Sequence, residues 1–230
     1  MPADPAATLA ALHRPGLLIA AEGLDGSGKS ATLDGLAAWL ERRGQLVKVV
    51  TWEPSERVGR AAADPRSRPA LTPRVAALLA AADAQRRIGL RIARRLARGE
   101  VVLADRYAWT AIAREAARGL DLEWSINLHR TLPVPDLVLY HRAEAGSAVE
   151  RALAGRPPSV RSAAVGAAYG SFVERLLAAL DILATRAGGD LGAPRPTRVV
   201  KLDALADPAA NIRLAREATR LAIEAAGGRS

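Results

Sequence analysis

The segment Gly23-Leu24-Asp25-Gly26-Ser27-Gly28-Lys29-Ser30 limits what this chain can fold into more than any other stretch. It lies between two elements of different period. Before it, Gly16–Glu22 (GLLIAAE) is an apolar run that reads as a buried strand ending at a glycine. After it, Leu33, Leu36, Ala37 and Leu40 recur at helical spacing over Ala31–Arg43, and Gly44 closes the helix as a C-terminal cap. A strand that passes through a glycine-rich loop into a helix can turn main-chain N–H groups inward around an anion, with the positive end of the helix behind them. The glycines keep side chains out of the way, Lys29 adds a point charge, and the Ser30 hydroxyl can bind Mg²⁺. The bland alternative is a glycine turn beside a surface lysine. Against it, only Lys29, Lys48 and Lys201 are lysines, and one falls where polyphosphate binding requires it.

Downstream the two periods keep alternating. Gln45–Trp52 (QLVKVVTW) predicts a second strand, and Glu53–Pro73, with four prolines, a loop. A long helical pattern covers about Thr72–Arg98, then Val101–Ala104 makes a short buried strand ending at Asp105. Helices are expected at about Trp109–Arg118 and Leu122–Thr131, and a fourth strand at Pro135–Tyr140. Val149–Leu153 reads as helix, Gly155–Ser162 as a Pro- and Arg-rich break, and Ala163–Arg186 as helix. Thr197–Leu202 is a fifth strand and Asp207–Ala226 a last helix. Apolar strands alternating with helices predict an α/β fold: a five-stranded parallel sheet with helices on both faces, three layers, of the P-loop NTPase type. Ligands in such sheets bind at the carboxyl ends of the strands. With 230 residues and no internal repeat, one domain over 1–230 is expected, with residues 1–15 a flexible extension and 155–162 a short lid.

Composition excludes several classes. There are no cysteines, so disulfides, thiolate metal sites and cysteine nucleophiles are out. Met1–Arg14 lacks the pattern of a signal peptide, and no apolar run reaches the roughly 18 residues that span a bilayer; a cytoplasmic protein without membrane contact is expected. The net charge of +9 is almost all arginine in an alanine-rich chain, which has the look of codon bias. A basic balance favours anionic partners, and a phosphorylated small molecule satisfies it without nucleic acid. The arginines at 86, 87, 91, 94, 95 and 98 have helical spacing and read as a solvated face, and Trp39 as core.

The words around the loop resemble the thymidylate kinase family. Glu22–Ser30 looks like its phosphate loop, Thr51-Trp52-Glu53-Pro54 is similar to its Thr-Arg-Glu-Pro, and Asp105-Arg106-Tyr107 to its Asp-Arg-Tyr. Pro135–Tyr140 resembles its fourth strand, Arg151–Arg161 occupies the place of its lid, and Leu202-Asp203-Ala204 that of the end of the fifth strand. The resemblance implies transfer of the ATP γ-phosphate to a nucleoside monophosphate, with Mg²⁺ and within a homodimer built through the long helix that includes Asp83. It also implies that Gly23 to Ser30 hold ATP and that Asp25 lies near the acceptor's 3′-hydroxyl.

Chemistry assigns further candidates. Asp105 can hold magnesium with Ser30, or simply cap a helix. Arg106 can clamp an acceptor phosphate bidentately, or lie at the surface. Glu53 can orient the acceptor, or be a loop carboxylate with no partner. Some members of the family carry a transition-state arginine at the place of position 26 and others supply it from the lid; with glycine at 26 this chain resembles the second type, which implies that the charge comes from Arg151, Arg156 or Arg161. The acceptor side departs from the family. Trp52 replaces arginine, alanines fill Ala81-Ala82-Asp83-Ala84 where an arginine is common, and Arg114 and Glu115 stand where tyrosine and glutamine are usual. His141-Arg142 stands where an aspartate is frequent. Trp52, Tyr107, Trp109 and Arg114 are therefore expected to line a reshaped acceptor pocket. The expected activity is a thymidylate kinase-like phosphotransferase acting on a small-molecule acceptor. The alternatives are a kinase for another phosphorylated or acidic molecule, a non-catalytic nucleotide-binding regulator, and a nucleic-acid-binding NTPase.

Overall fold

The computed structural model describes residues 15–52, 55, 58, 71–87, 91–154, 163–186 and 197–227. Its strands are β1 (Leu17–Gly23), β2 (Val47–Thr51), β3 (Val101–Asp105), β4 (Leu137–Arg142) and β5 (Arg198–Asp203). They form one parallel sheet in the order β2-β3-β1-β4-β5. The described helices are α1 (Lys29–Glu41), α2 (Pro73–Arg87), α3 (Ala93–Ala97), α4 (Ala108–Ala117), α5 (Leu122–His129), α6 (Ala145–Ala154), α7 (Ala163–Arg186) and α8 (Pro208–Gly227).

Two cores follow from the two-residue period of the strands. Leu17, Ile19, Ala21, Leu103, Leu137 and Leu139 face one side and meet Leu33, Leu36 and Leu40 of α1 and Ala215, Ala218 and Ala222 of α8. Leu18, Ala20, Val102, Ala104, Val138 and Tyr140 face the other and meet Ile112 and Ala113 of α4 and Leu176, Leu180 and Leu183 of α7. β1 is buried along its whole length, as a central strand covered on both faces must be. Fully burying each leucine contributes about 2 kcal/mol, so the sheet centre is a stiff floor for whatever its carboxyl edge carries.

The expected helix over 72–98 takes in α2 and α3, with a wider π turn at Arg91–Ile92 before α3; residues 88–90 lie outside the described ones. The extra residue in such a turn changes the phase of the helix, and α3 can then bury Ala93 and Leu96 with Ile92. Trp39 is half-buried rather than core: it packs on the α1–α8 side, and the Arg43 guanidinium lies 4.5 Å from its ring centre. The segments 1–14 and 155–162 lie outside the described residues.

Candidate active site

Register brings the motifs together. Ala21 of β1 and Thr51 of β2 both pair with Asp105 of β3, and Gly23 pairs with His141 of β4. The loop Gly23–Ser30, Thr51-Trp52 and Asp105-Arg106 therefore leave the sheet at one edge. They enclose a cavity of about 330 Å³ lined by Asp25, Gly26, Lys29, Ser30, Thr51, Trp52, Asp105, Arg106 and Arg114.

The loop turns at two glycines that no other residue would replace cheaply. Gly23 has φ 139°, and a Cβ there would stand 2.5 Å from the His141 carbonyl oxygen. Gly28 has φ 86° and precedes the first turn of α1, with no acidic residue in that turn to compete for an anion. Lys29 is buried, and its ammonium donates to the Leu24 carbonyl and, at 3.3 Å, to Ser27 Oγ. Burial, followed by repulsion from Arg106, pulls its pKa down to about 8 against the opposing pull of Asp105 and Asp25.

Ser30 Oγ donates to Asp105 Oδ2 at 2.7 Å. Asp105 is thus not the N-cap of α4, a position held by Tyr107 without a side-chain cap. The pair sets two hard oxygen donors side by side, which suits magnesium. Among the described residues no three His, Cys, Asp or Glu side chains gather into a protein-only metal site, so the remaining ligands of such an ion would come from phosphates and water.

Arg106 has φ 65°, the one positive φ among the described non-glycine residues. A left-handed arginine costs about 1–2 kcal/mol, and what the turn gains is aim. The guanidinium donates to the Gly23 carbonyl at 2.7 Å and pairs with Asp25. Burial pushes the Asp25 carboxyl up, but Arg106, Arg114 and Lys29 outweigh it and hold its pKa below the ordinary range. Arg114, half-buried on α4, has its own pKa lowered by burial and by Arg106.

Sequence reasoning missed the residue that fixes this turn. Glu22, fully buried at the end of β1, accepts N–H bonds from Tyr107 (3.1 Å), Trp109 (3.0 Å) and Thr110 (3.2 Å), and a bond from the Thr110 hydroxyl. It caps α4 from another strand, satisfying donors that the first turn of a helix leaves open. Burial pushes its pKa up to about 7, with Thr110 and Arg106 pulling the other way. A glutamate inside an otherwise apolar strand was the available signal.

Lys29, Ser30, Asp25, Asp105, Arg106, Trp52 and Arg114 thus share one cavity, with Gly26 on its wall. Gly23, Leu24, Ser27 and Gly28 form the loop beneath. Tyr107 and Trp109, expected in the acceptor pocket, are turned into the core: both are buried, and the Tyr107 hydroxyl donates to the Pro133 carbonyl at 3.0 Å. The Trp52 ring meets Tyr107 edge-on at 5.2 Å, so Tyr107 backs the wall rather than forming it. Glu53, Arg156 and Arg161 lie outside the described residues; Arg151 is on α6.

A five-stranded parallel sheet with a Gly-x4-Gly-Lys-Ser loop between β1 and α1 defines the class of three-layer α/β P-loop kinases. The family model for thymidylate kinase matches residues 21–173. The chain is 33% identical over 212 residues to the thymidylate kinase of Verminephrobacter eiseniae, covering 84% of this chain and 86% of the relative. It is 36% identical over 141 residues to that of Akkermansia muciniphila, covering 60% and 68%. With a probable thymidylate kinase of Thermococcus gammatolerans it shares 36% over 136 residues, 54% of this chain; the match spans 64% of that relative's length. The chain belongs to the thymidylate kinase family.

Proposed function

We propose that the protein is an ATP-dependent nucleoside monophosphate kinase, with dTMP to dTDP as its default reaction. The observation that carries this reading is the cavity that Lys29, Asp25 and Arg106 share, where Arg106 pairs with Asp25 and both cations pull its pKa down. Phosphoryl transfer needs two anions held in line and their charge neutralised. The loop Gly23–Ser30 and Lys29 hold the donor phosphates, and Arg106 forks onto the acceptor phosphate. Asp25 accepts from an acceptor hydroxyl once Arg106 has moved to that phosphate. The bond from the γ-phosphorus to the β-bridging oxygen breaks as one to the acceptor phosphate oxygen forms. Ser30 and Asp105 would hold magnesium, which supplies charge neutralisation on the donor phosphates when bound. One of Arg151, Arg156 and Arg161 supplies a further cation from the stretch 151–161 that holds the place of the lid, and Glu53 orients the acceptor.

A specific observation favours a second acceptor reading within the same chemistry. Trp52 and Arg114, both departures from the family words, line the cavity itself. A bulky indole and a third cation suit an acceptor of different shape or higher negative charge. No described helix is long and apolar enough to cross a membrane, which is compatible with a cytoplasmic enzyme in a single kinase domain. An apolar stripe on α2, with Val75 39%, Leu78 48% and Leu79 40% exposed, supports a homodimer through that helix.

ADP release with ATP, Mg²⁺ and a panel of monophosphates tests the reading. Turnover of dTMP that Lys29→Ala abolishes is the expected result. Faster turnover of another monophosphate selects the second reading, and ATP binding without turnover of any acceptor refutes both.

A further inference from the structure

His141 is a fully buried imidazole at the end of β4, beneath the phosphate loop, and no step above uses it. Its Nδ1 lies 2.9 Å from the Ser27 carbonyl oxygen. That oxygen can only accept, so Nδ1 carries the hydrogen. The ring's other nitrogen, Nε2, is buried and has no hydrogen-bond partner among the described residues. The imidazole therefore commits its one donor to the loop. The fit is close elsewhere too: a Cβ at Gly23 would meet the His141 Cβ at 3.1 Å, and one at Gly28 would lie 3.9 Å from Nδ1.

The direction of this bond matters. In a trans peptide the C=O and the following N–H point to opposite sides. The Ser27 carbonyl is drawn down onto the β4 side, so the Gly28 amide is turned away from β4, toward the anion side of the loop. A glycine loop is soft, with φ 139°, 73° and 86° at Gly23, Gly26 and Gly28; an oxyanion site loses affinity when its amides must be reoriented on binding.

We propose that His141 is a positioning residue for the phosphate loop, its Nδ1–H pinning the Ser27 carbonyl so that the Gly28 amide is aimed at the donor polyphosphate. The inference rests on the reading of this loop as a polyphosphate site. Burial pulls the imidazole down to about 4, with the Ser27 bond opposing, so the ring is neutral near pH 7 and its donor is constant there.

The test is calorimetric binding of ADP and a non-hydrolysable ATP analogue to the wild type, His141→Leu, His141→Asn and His141→Gln, with melting temperatures alongside. His141→Leu removes the donor and keeps an apolar filling. It is expected to bind both nucleotides about five- to tenfold more weakly, the loss of one ordinary hydrogen bond, with the KM for the acceptor unchanged. The Asn amide nitrogen stands where Nδ1 does, so His141→Asn should bind within about twofold of the wild type on the same argument, whereas His141→Gln, whose amide reaches past that point, should resemble Leu. Nucleotide affinity unchanged in His141→Leu, or equal in the Asn and Gln variants, overturns the inference even if melting temperatures fall. Where His141→Leu does not fold, the Asn–Gln comparison decides. A wild type that binds neither nucleotide overturns the loop reading and this inference with it.

Discussion

Exchanging Glu22 for glutamine replaces one oxygen with NH₂ at a fully buried point where four donors converge. Two physical effects compete there. Burial penalises the carboxylate, while the donors stabilise it. If burial prevails, as a pKa raised from 4.5 to about 7 requires, the folded state holds a proton that the unfolded chain releases. The interval corresponds to about 3 kcal/mol, at about 1.4 kcal/mol per pH unit. The sign is fixed: a group whose folded pKa is raised contributes stability below pH 4.5, and that contribution is lost as pH rises to about 7. The glutamine amide that replaces the carboxyl has no such proton. It places an N–H against the Thr110 N–H, leaving a buried donor unpaired at a cost of about 1–3 kcal/mol.

Glu22→Gln should therefore be about 1–3 kcal/mol less stable than the wild type near pH 4.5. Across the range to pH 8 the wild type should lose about 3 kcal/mol relative to the variant, bringing the two level or reversing their order. Urea unfolding of both proteins at pH 4.5, 6, 7 and 8 measures the difference directly. A gap that does not change with pH, or a wild type that gains on the variant toward pH 8, would refute the reasoning. The carboxylate would then be ionised throughout, with its four donors outweighing burial.

Arg106→Gly relieves a left-handed backbone while loosening the unfolded chain, so unfolding free energy should stay within about 1 kcal/mol of the wild type. The acceptor kcat/KM should fall about 100-fold or more as two charge-assisted bonds are lost, and Arg106→Lys, with charge but no fork, should lie between. Asp105→Asn should raise the Mg²⁺ concentration for half-maximal turnover about tenfold while the acceptor KM changes little; equal Mg²⁺ curves would remove Asp105 from the metal site. Because the Lys29 pKa is about 8 in the free protein, binding a polyphosphate should restore its proton. Calorimetry of ADP in buffers of different ionisation enthalpy should show uptake of about 0.5 proton at pH 8 and about 0.1 at pH 7; identical enthalpies across buffers at pH 8 would contradict it.

The parts of this fold that were legible are those set by local pattern. The ends of α7 coincide with the expected Ala163–Arg186, and β1 is displaced by one residue from the expected run. Both carry an apolar pattern over most of their length. Within the helical pattern over 72–98 nothing local announces the π turn at Arg91–Ile92, because the stretch is alanine- and arginine-rich and a small apolar side chain marks phase poorly. Trp109 shows the limit at the site. Adjacency to Asp105-Arg106-Tyr107 suggested a pocket wall, but Trp109 is the second residue of α4, and the same turn that aims Arg106 outward sends the indole inward. Glu22 and His141 stood out by residue type, but their roles were not legible. Each acts on a partner at least 85 residues distant in sequence, and only strand register brings them together.

The charges of the cavity explain why these silent residues matter. Three cations, Lys29, Arg106 and Arg114, face one another, and the pKa values of Lys29 and Arg114 fall partly because of Arg106. Such a group disperses unless something rigid holds it. Arg106 is held in a strained turn by Glu22 capping the helix that carries Arg114, and Lys29 by the carbonyl of Leu24 within the loop. The cost of the arrangement is thus offset within the fold, so the backbone of the loop and of the Arg106 turn is set before any anion arrives, and in the proposed reaction the Arg106 side chain has only to leave Asp25 for the acceptor phosphate. A fixed frame of this kind limits the reorganisation that charges undergo on the way to a transition state. It follows that the supports should be felt in different places: loss of Glu22 on the acceptor side through Arg106 and Arg114, and loss of His141 on the donor side through Gly28. A substitution at either that impaired both sides equally would mean the two halves of the cavity are one mechanical unit.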